Sequence, residues 1–267
     1  MGELSRTALG RLATQAVDSN AVHKCLWTPE YSEDTWQCAY RFVTECCWTK
    51  DDANVASPIQ LIPAKSYIAW MVYEWWLSRK TGEPILLEKS RRMIATWLFA
   101  ALDVWDAGLR GGVYCVAAQK YQNSAKLIYR RYFIYQQLRR RRPSWGLPSA
   151  TKYHSGGPDQ LKKLIIGGAI FEPLTGEDPD SFRQEGVTRV ILDEFAFFPY
   201  PEKCFSNARV MVTPPPGVAI GGQVLGITTV NVTPSYLRMV KEGKEPEIKD
   251  MSWGNDGVQE HVYAQSH

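Results

Sequence analysis

Three groups of residues, far apart in the chain, have the types needed to handle a phosphate. ILLEKSRRMIATWLF (85–99) is apolar up to Leu87. It then carries Lys89, Ser90, Arg91 and Arg92 just before an amphipathic segment begins near Met93. VILDE (190–194) is an apolar run that ends in two carboxylates, Asp193 and Glu194, and GITT (226–229) ends in two hydroxyls, Thr228 and Thr229. A nucleoside triphosphate site needs a cation and free backbone N–H groups around the phosphates. It also needs a hydroxyl and a carboxylate for magnesium, and a group that orients the attacking water. Residues 89–96 can supply the first set: Lys89, Arg91 and Arg92 bring charge, the following helix brings donors, and Thr96 stands where a magnesium hydroxyl belongs. Asp193 would reach the hydrated metal, Glu194 would polarise the water, and Thr228-Thr229 would sense the terminal phosphate.

Each group has a plainer reading. Against G-x-x-x-x-G-K-[ST], the frame ending at Thr96 has Lys89, Ile94 and Ala95 at the two glycines and the lysine. Alone, this segment could be a basic strand-to-helix turn whose cations pair with surface acids. Acidic strand ends in water are common, and threonine favours strands whatever its task.

What argues for the sharper reading is where these groups fall along the elements. EPILLE, GGVYCVAAQ, VTRVILDEF and QVLGITTV read as strands, and KLIIGGAIFEPL as a strand pair or one bent strand. Between them, 93–108 reads as a helix closed by Gly108, 124–142 as a long helix stopped by Pro143, and 201–212 as a third helix. Strands alternating with helices predict an α/β domain, a mostly parallel central sheet flanked by helices. In such sheets ligands sit beyond the carboxyl ends of the strands, where all three groups lie. Upstream, 64–80 is apolar almost all round and predicts a buried helix, and 5–17 and 34–48 predict a helical preamble. The expected division is a helical section 1–57, a domain 58–240 and a polar tail 241–267, in which Asp250, Asp256 and Glu260 lie in no strand framework.

Bulk properties exclude some classes. Hydrophobic content of 45% and charged content of 22% are ordinary for a globular protein, and a net charge of +3 makes no case for nucleic acid without local clustering. No apolar run is long enough to span a bilayer, and the N-terminus lacks a signal-peptide pattern, so a cytoplasmic protein is expected. The six cysteines form no CxxC pair, and their spacing with His23 fits no familiar zinc site; reduced thiols are expected.

EKSRRMIATW, VAAQK (116–120), the helix beginning near Ser124, VILDEFAF and GITTV, in that order, resemble the N-terminal ATPase domain of the large terminase subunit, the motor that packages DNA into tailed-phage capsids. The resemblance covers about Ser57 to Leu237. It implies a P-loop ATPase fold of the RecA/ASCE kind, ATP and Mg2+ as cofactors, and ATP hydrolysis coupled to translocation of double-stranded DNA. That family often carries a phosphate loop whose lysine moves to the front, K-S-R-R-M-G-x-[ST]-W. Lys89 matches that lysine and Thr96-Trp97 its end, while Ile94 replaces the glycine; Ser90, Arg91, Arg92, Met93 and Ala95 complete the implied phosphate-binding segment. The same resemblance gives Asp193 and Thr96 to magnesium, Glu194 to the water, Thr228-Thr229 to coupling, Arg183 to a neighbouring subunit's nucleotide, and Gln60 to the adenine. Implied partners are DNA, the portal protein and the small terminase subunit, with a homo-oligomeric ring on the procapsid in the host cytoplasm. The chain ends soon after the coupling strand, so a motor domain without cutting activity is expected.

Lys126, Arg130, Arg131, Arg139, Arg140, Arg141 and Arg142 make helix 124–142 strongly basic. They are candidate contacts to DNA phosphates or to another subunit. A solvated helix face is the alternative. Two other functions fit the same residues: a helicase-like ATPase acting on nucleic acid, and a nucleotide-binding scaffold that does not hydrolyse, which the missing glycine would suit.

Overall fold

The computed structural model describes residues 24–50, 59–89, 94–154, 157, 160–184, 186–213 and 222–229, and the backbone of 249–252. The predicted helix 5–17 therefore lies outside the described residues. The helices are α1 (Trp36–Cys46), α2 (Ser66–Thr81), α3 (Ala95–Arg110), α4 (Tyr121–Arg141) and α5 (Pro201–Val212). The strands are β1 (Trp48–Thr49), β2 (Gln60–Leu61), β3 (Ile85–Lys89), β4 (Val113–Ala118), β5 (Thr151–His154), β6 (Leu161–Ile166), β7 (Ala169–Thr175), β8 (Arg189–Asp193), β9 (Gln223–Thr229) and β10 (Lys249–Ser252).

Strands β1 and β2 form a small antiparallel pair, and the other eight form one sheet in the order β10-β3-β9-β8-β4-β7-β6-β5. Pairing is parallel from β10 to β7, and antiparallel at β7–β6 and β6–β5. The expected α/β architecture is thus observed. Two departures concern the ends. The tail, expected to lack a strand framework, supplies β10, which carries Asp250 beside Leu86 of β3. The exposed β5 has no counterpart among the predicted strands.

The central strands are buried on both faces, so their side chains divide by parity. On one face Ile85, Leu87, Tyr114, Val116, Ile191, Leu225 and Ile227 share a core with α1 to α4. On the other Leu86, Cys115, Val190, Leu192 and Val224 pack against α5 and the turn at 195–198. Trp27, Tyr31, Phe42 and Val43 of the N-terminal section belong to the first core. Parity also decides the polar residues at the strand ends: Lys89, Asp193 and Thr229 share the face of α3 by alternation.

Helix α3 does not stop at Gly108, as predicted, but runs to Arg110, with Gly111 at its C-cap at φ 70°. Gly108 serves close approach instead. A Cβ there would sit 2.1 Å from the ring of Trp27, whose Nε1 donates to the Trp105 carbonyl at 2.7 Å. Beneath the sheet lies a buried ion-pair cluster. Asp103 accepts from Arg189 (2.7 Å) and Arg131 (2.9 Å); Asp106 accepts from Arg79, Arg110 and Arg189 (2.7–2.8 Å). Gln223 of β9 accepts from Arg189 at 2.6 Å and donates to the Trp75 carbonyl of α2 at 2.9 Å. Strands β8 and β9 are therefore tied to the helices at their amino ends, away from the three candidate groups.

Candidate active site

The three groups meet. Lys89, at the end of β3, lies opposite Thr229 in register, and Asp193, at the end of β8, lies opposite Ile227. Lys89, Thr96, Asp193, Glu194 and Thr229 line one cavity of about 650 Å³. Ser90, Arg91, Arg92 and Met93 lie outside the described residues.

Alternation points Asp193 at α3, where Thr96 Oγ1 donates to its Oδ1 at 3.1 Å. Burial pushes the Asp193 carboxyl up from its ordinary value; the charge of Arg130 opposes that rise, Glu194 adds to it, and Lys89 and the Thr96 bond oppose it. A buried carboxylate beside a hydroxyl is a hard-oxygen donor set that suits a small divalent cation, whose charge would restore the ionised form.

Had β8 continued, Glu194 would point to the opposite face, into the apolar layer under α5. It adopts a left-handed conformation instead, φ 54° and ψ 41°, the only non-glycine with positive φ among the described residues. That turn, which costs an L-residue roughly 1–2 kcal/mol, returns its carboxylate to the cavity. Lys89 Nζ lies 3.6 Å from Glu194 Oε1, and Thr229 Oγ1 lies 2.9 Å from both carboxylate oxygens, which share its single hydrogen. Thr228, by contrast, faces the other way and accepts from the Ala196 N–H at 3.3 Å; of the two hydroxyls only Thr229 lines the cavity.

Ile94 caps α3 at φ −76°, a backbone open to any residue, and its side chain packs on the core, so local geometry does not demand the glycine. Ala95 and Trp97 are buried core residues. Gln60 is exposed on β2 and is not among the lining residues, and neither is Arg183, which is exposed and paired with Asp180 at 2.8 Å.

The basic helix needs correction. Arg131 is 1% exposed and bound to Asp103, so it cannot reach DNA. Lys126, which is exposed, and Arg130, which is half-buried, both line the cavity. Arg139 donates to the Leu147 carbonyl at 3.3 Å and to Ser149 at 3.1 Å. Arg141 lies over Trp48 at 3.6 Å, and Arg142 donates to the Glu45 carbonyl at 3.2 Å; these three brace neighbouring segments of their own chain. Arg140 is exposed. Gln119, Asn123 and Phe197 also line the cavity, and the sequence reading misses them. A signal exists: Gln119 follows the end of β4, and 123, 126 and 130 recur at helical spacing on one face.

No family model matches the sequence, and no curated protein does. Among solved structures, the large terminase of bacteriophage HK97 superposes with a TM-score of 0.53 over 83% of this chain and 45% of that one, at 12% identity. The chain shares the fold of that large terminase. It spans less than half of the HK97 chain. The ATPase domain of the Thermus phage P74-26 large terminase matches at TM-score 0.44 and 16% identity, over 77% of this chain and 90% of that one. The large terminase of another thermophilic bacteriophage, in complex with ADP, matches at TM-score 0.40 and 14% identity, covering 70% and 42%. At such identities the likeness to HK97 terminase speaks for the fold alone.

Proposed function

We propose that the chain is an ATP-hydrolysing motor domain that drives double-stranded DNA into a procapsid. The observation that carries the chemical part is the convergence of Lys89, Thr96, Asp193 and Glu194 on one cavity at the carboxyl edge of a parallel sheet. Lys89 would neutralise phosphate charge, and the N–H groups at the start of α3 would donate to phosphate oxygens. Thr96 and Asp193 would hold magnesium, which when bound neutralises phosphate oxygens. Glu194 would orient the attacking water and accept its proton. In the structure Glu194 is engaged by Lys89 and Thr229. Binding of phosphate would draw Lys89 away and leave Thr229 on β9 in contact with the catalytic carboxylate, a direct route from nucleotide state to the neighbouring strand.

The motor part of this reading rests on the shared fold with HK97 terminase. It brings with it DNA, a portal, a small subunit and a ring assembled in the host cytoplasm as expected surroundings, with Arg183 offered to a neighbour's nucleotide. Steady-state ATPase measurements test the chemistry. Lys89→Ala should abolish turnover by weakening nucleotide binding, whereas Glu194→Gln should bind nucleotide and not turn it over. Undiminished turnover in both variants refutes the site, and DNA-independent assembly with no portal stimulation refutes the motor.

A further inference from the structure

Helix α4 presents two cations to the cavity for which the triphosphate reading has no task. Lys126 and Arg130 are one turn apart and line the cavity with Lys89, Asp193 and Glu194. Arg130 is the more constrained. Its guanidinium lies 5.4 Å from the ring centroid of Trp97, and that indole is itself buried and packed edge-on against Phe133 at 5.5 Å. Because Trp97 follows Thr96, whose hydroxyl bonds Asp193, the guanidinium is held against the first turn of α3. The rotation of α4 about its own axis is fixed by the next residue. Arg131 is bonded to Asp103, and Asp103 to Arg189, four residues before Asp193 on β8.

In the sheet, β8 lies between β9 and β4; β3, which carries Lys89, lies beyond β9 on one side, and β4 on the other side leads into α4. A phosphate held above Asp193 would have a cation on each side. A guanidinium seated on an aromatic face can direct its N–H fork at two phosphate oxygens at once, which an ammonium cannot do.

We propose that Arg130 binds the terminal phosphate of the nucleotide held by Lys89 of the same subunit, and thereby selects a triphosphate over a diphosphate. The proposal rests on the triphosphate reading above. It differs in role from an arginine inserted by a neighbour, because it acts before hydrolysis and needs no assembly.

The test is equilibrium binding of ATPγS and of ADP, each with magnesium, to the wild-type chain and to Arg130→Ala, Arg130→Lys and Lys89→Ala. Arg130→Ala should weaken ATPγS by roughly tenfold or more and change ADP by less than about threefold. The retained ADP affinity then shows that the fold is intact. Arg130→Lys should fall between, since it keeps charge and loses the fork. Equal loss for both nucleotides, or loss for neither, overturns the proposal. Wild-type chain that binds no ATPγS, or Lys89→Ala that binds like wild type, removes the triphosphate reading and this proposal with it. Mixing Arg130→Ala with Lys89→Ala should not restore ATP turnover; restoration overturns the same-subunit assignment.

Discussion

Glu194 and Asp193 are adjacent, yet their environments differ. Asp193 continues the pleat and is buried against Thr96, whereas Glu194 leaves the strand through a left-handed turn and remains in contact with Lys89 and Thr229. Glu194→Gln is isosteric and should keep the turn and the nucleotide affinity while lowering kcat by about 10²–10⁴; a loss confined to KM would contradict the role of base. Asp193 predicts a pH effect of definite sign. Its pKa is raised on folding, so the folded state holds the proton more tightly and stability falls as pH rises through the carboxylate range. Without metal, Asp193→Asn should therefore melt at a higher temperature than wild type at neutral pH, with the gain fading in acid. Thermal melts across pH check this, and a gain that grows toward low pH would contradict it.

Gly108 shows how an element can mislead a reader of sequence. Glycine near a helix end reads as a stop, but here the helix passes through it and Trp27 occupies the space a side chain would need. Helix propensity alone would make Gly108→Ala stabilising by about 1 kcal/mol. The contact with Trp27 predicts the opposite sign, a loss of about 1–3 kcal/mol in chemical denaturation. Asp106 makes a second prediction about how elements are joined. Burial raises its carboxyl, but Arg189, Arg110 and Arg79 outweigh that and hold it well below the usual range. Its contribution is thus present above the ordinary carboxylate pKa and lost as pH falls below it. Asp106→Asn should cost about 3–5 kcal/mol at neutral pH, because three arginines lose their shared partner.

The same elements show what a sequence can reveal. The buried strands β3, β8 and β9 and helix α5 are readable because apolar runs and punctuation coincide there. The exposed β5, and β10 at the opposite end of the described sheet, have no such pattern, TKYH and KDMS carrying no apolar run. In the cavity, Lys89, Asp193, Glu194 and Thr229 are readable from the rule that ligands sit at strand ends, and Thr96 from its place where a phosphate loop enters the next helix. Lys126 and Arg130 read as DNA contacts because charge on a helix does not say which face is inward. Arg131, one residue on, is buried in an ion pair, a fact that depends on Asp103 and Arg189 from other elements.

The assembled chain puts the cavity at the carboxyl ends of the strands, and Arg183 on an exposed segment outside it. If Arg183 serves a neighbour's nucleotide, specific ATPase activity should rise with protein concentration, and Arg183→Ala should flatten that rise without changing nucleotide affinity. A wild-type rate per chain independent of concentration would contradict action between subunits. All of these roles require the cavity to be a triphosphate site. A crystal structure with a non-hydrolysable ATP analogue and magnesium addresses this most directly. It should show the terminal phosphates within hydrogen-bond reach of Lys89 and the metal beside Thr96 and Asp193. Nucleotide bound elsewhere, or metal away from Asp193, would contradict the assignment.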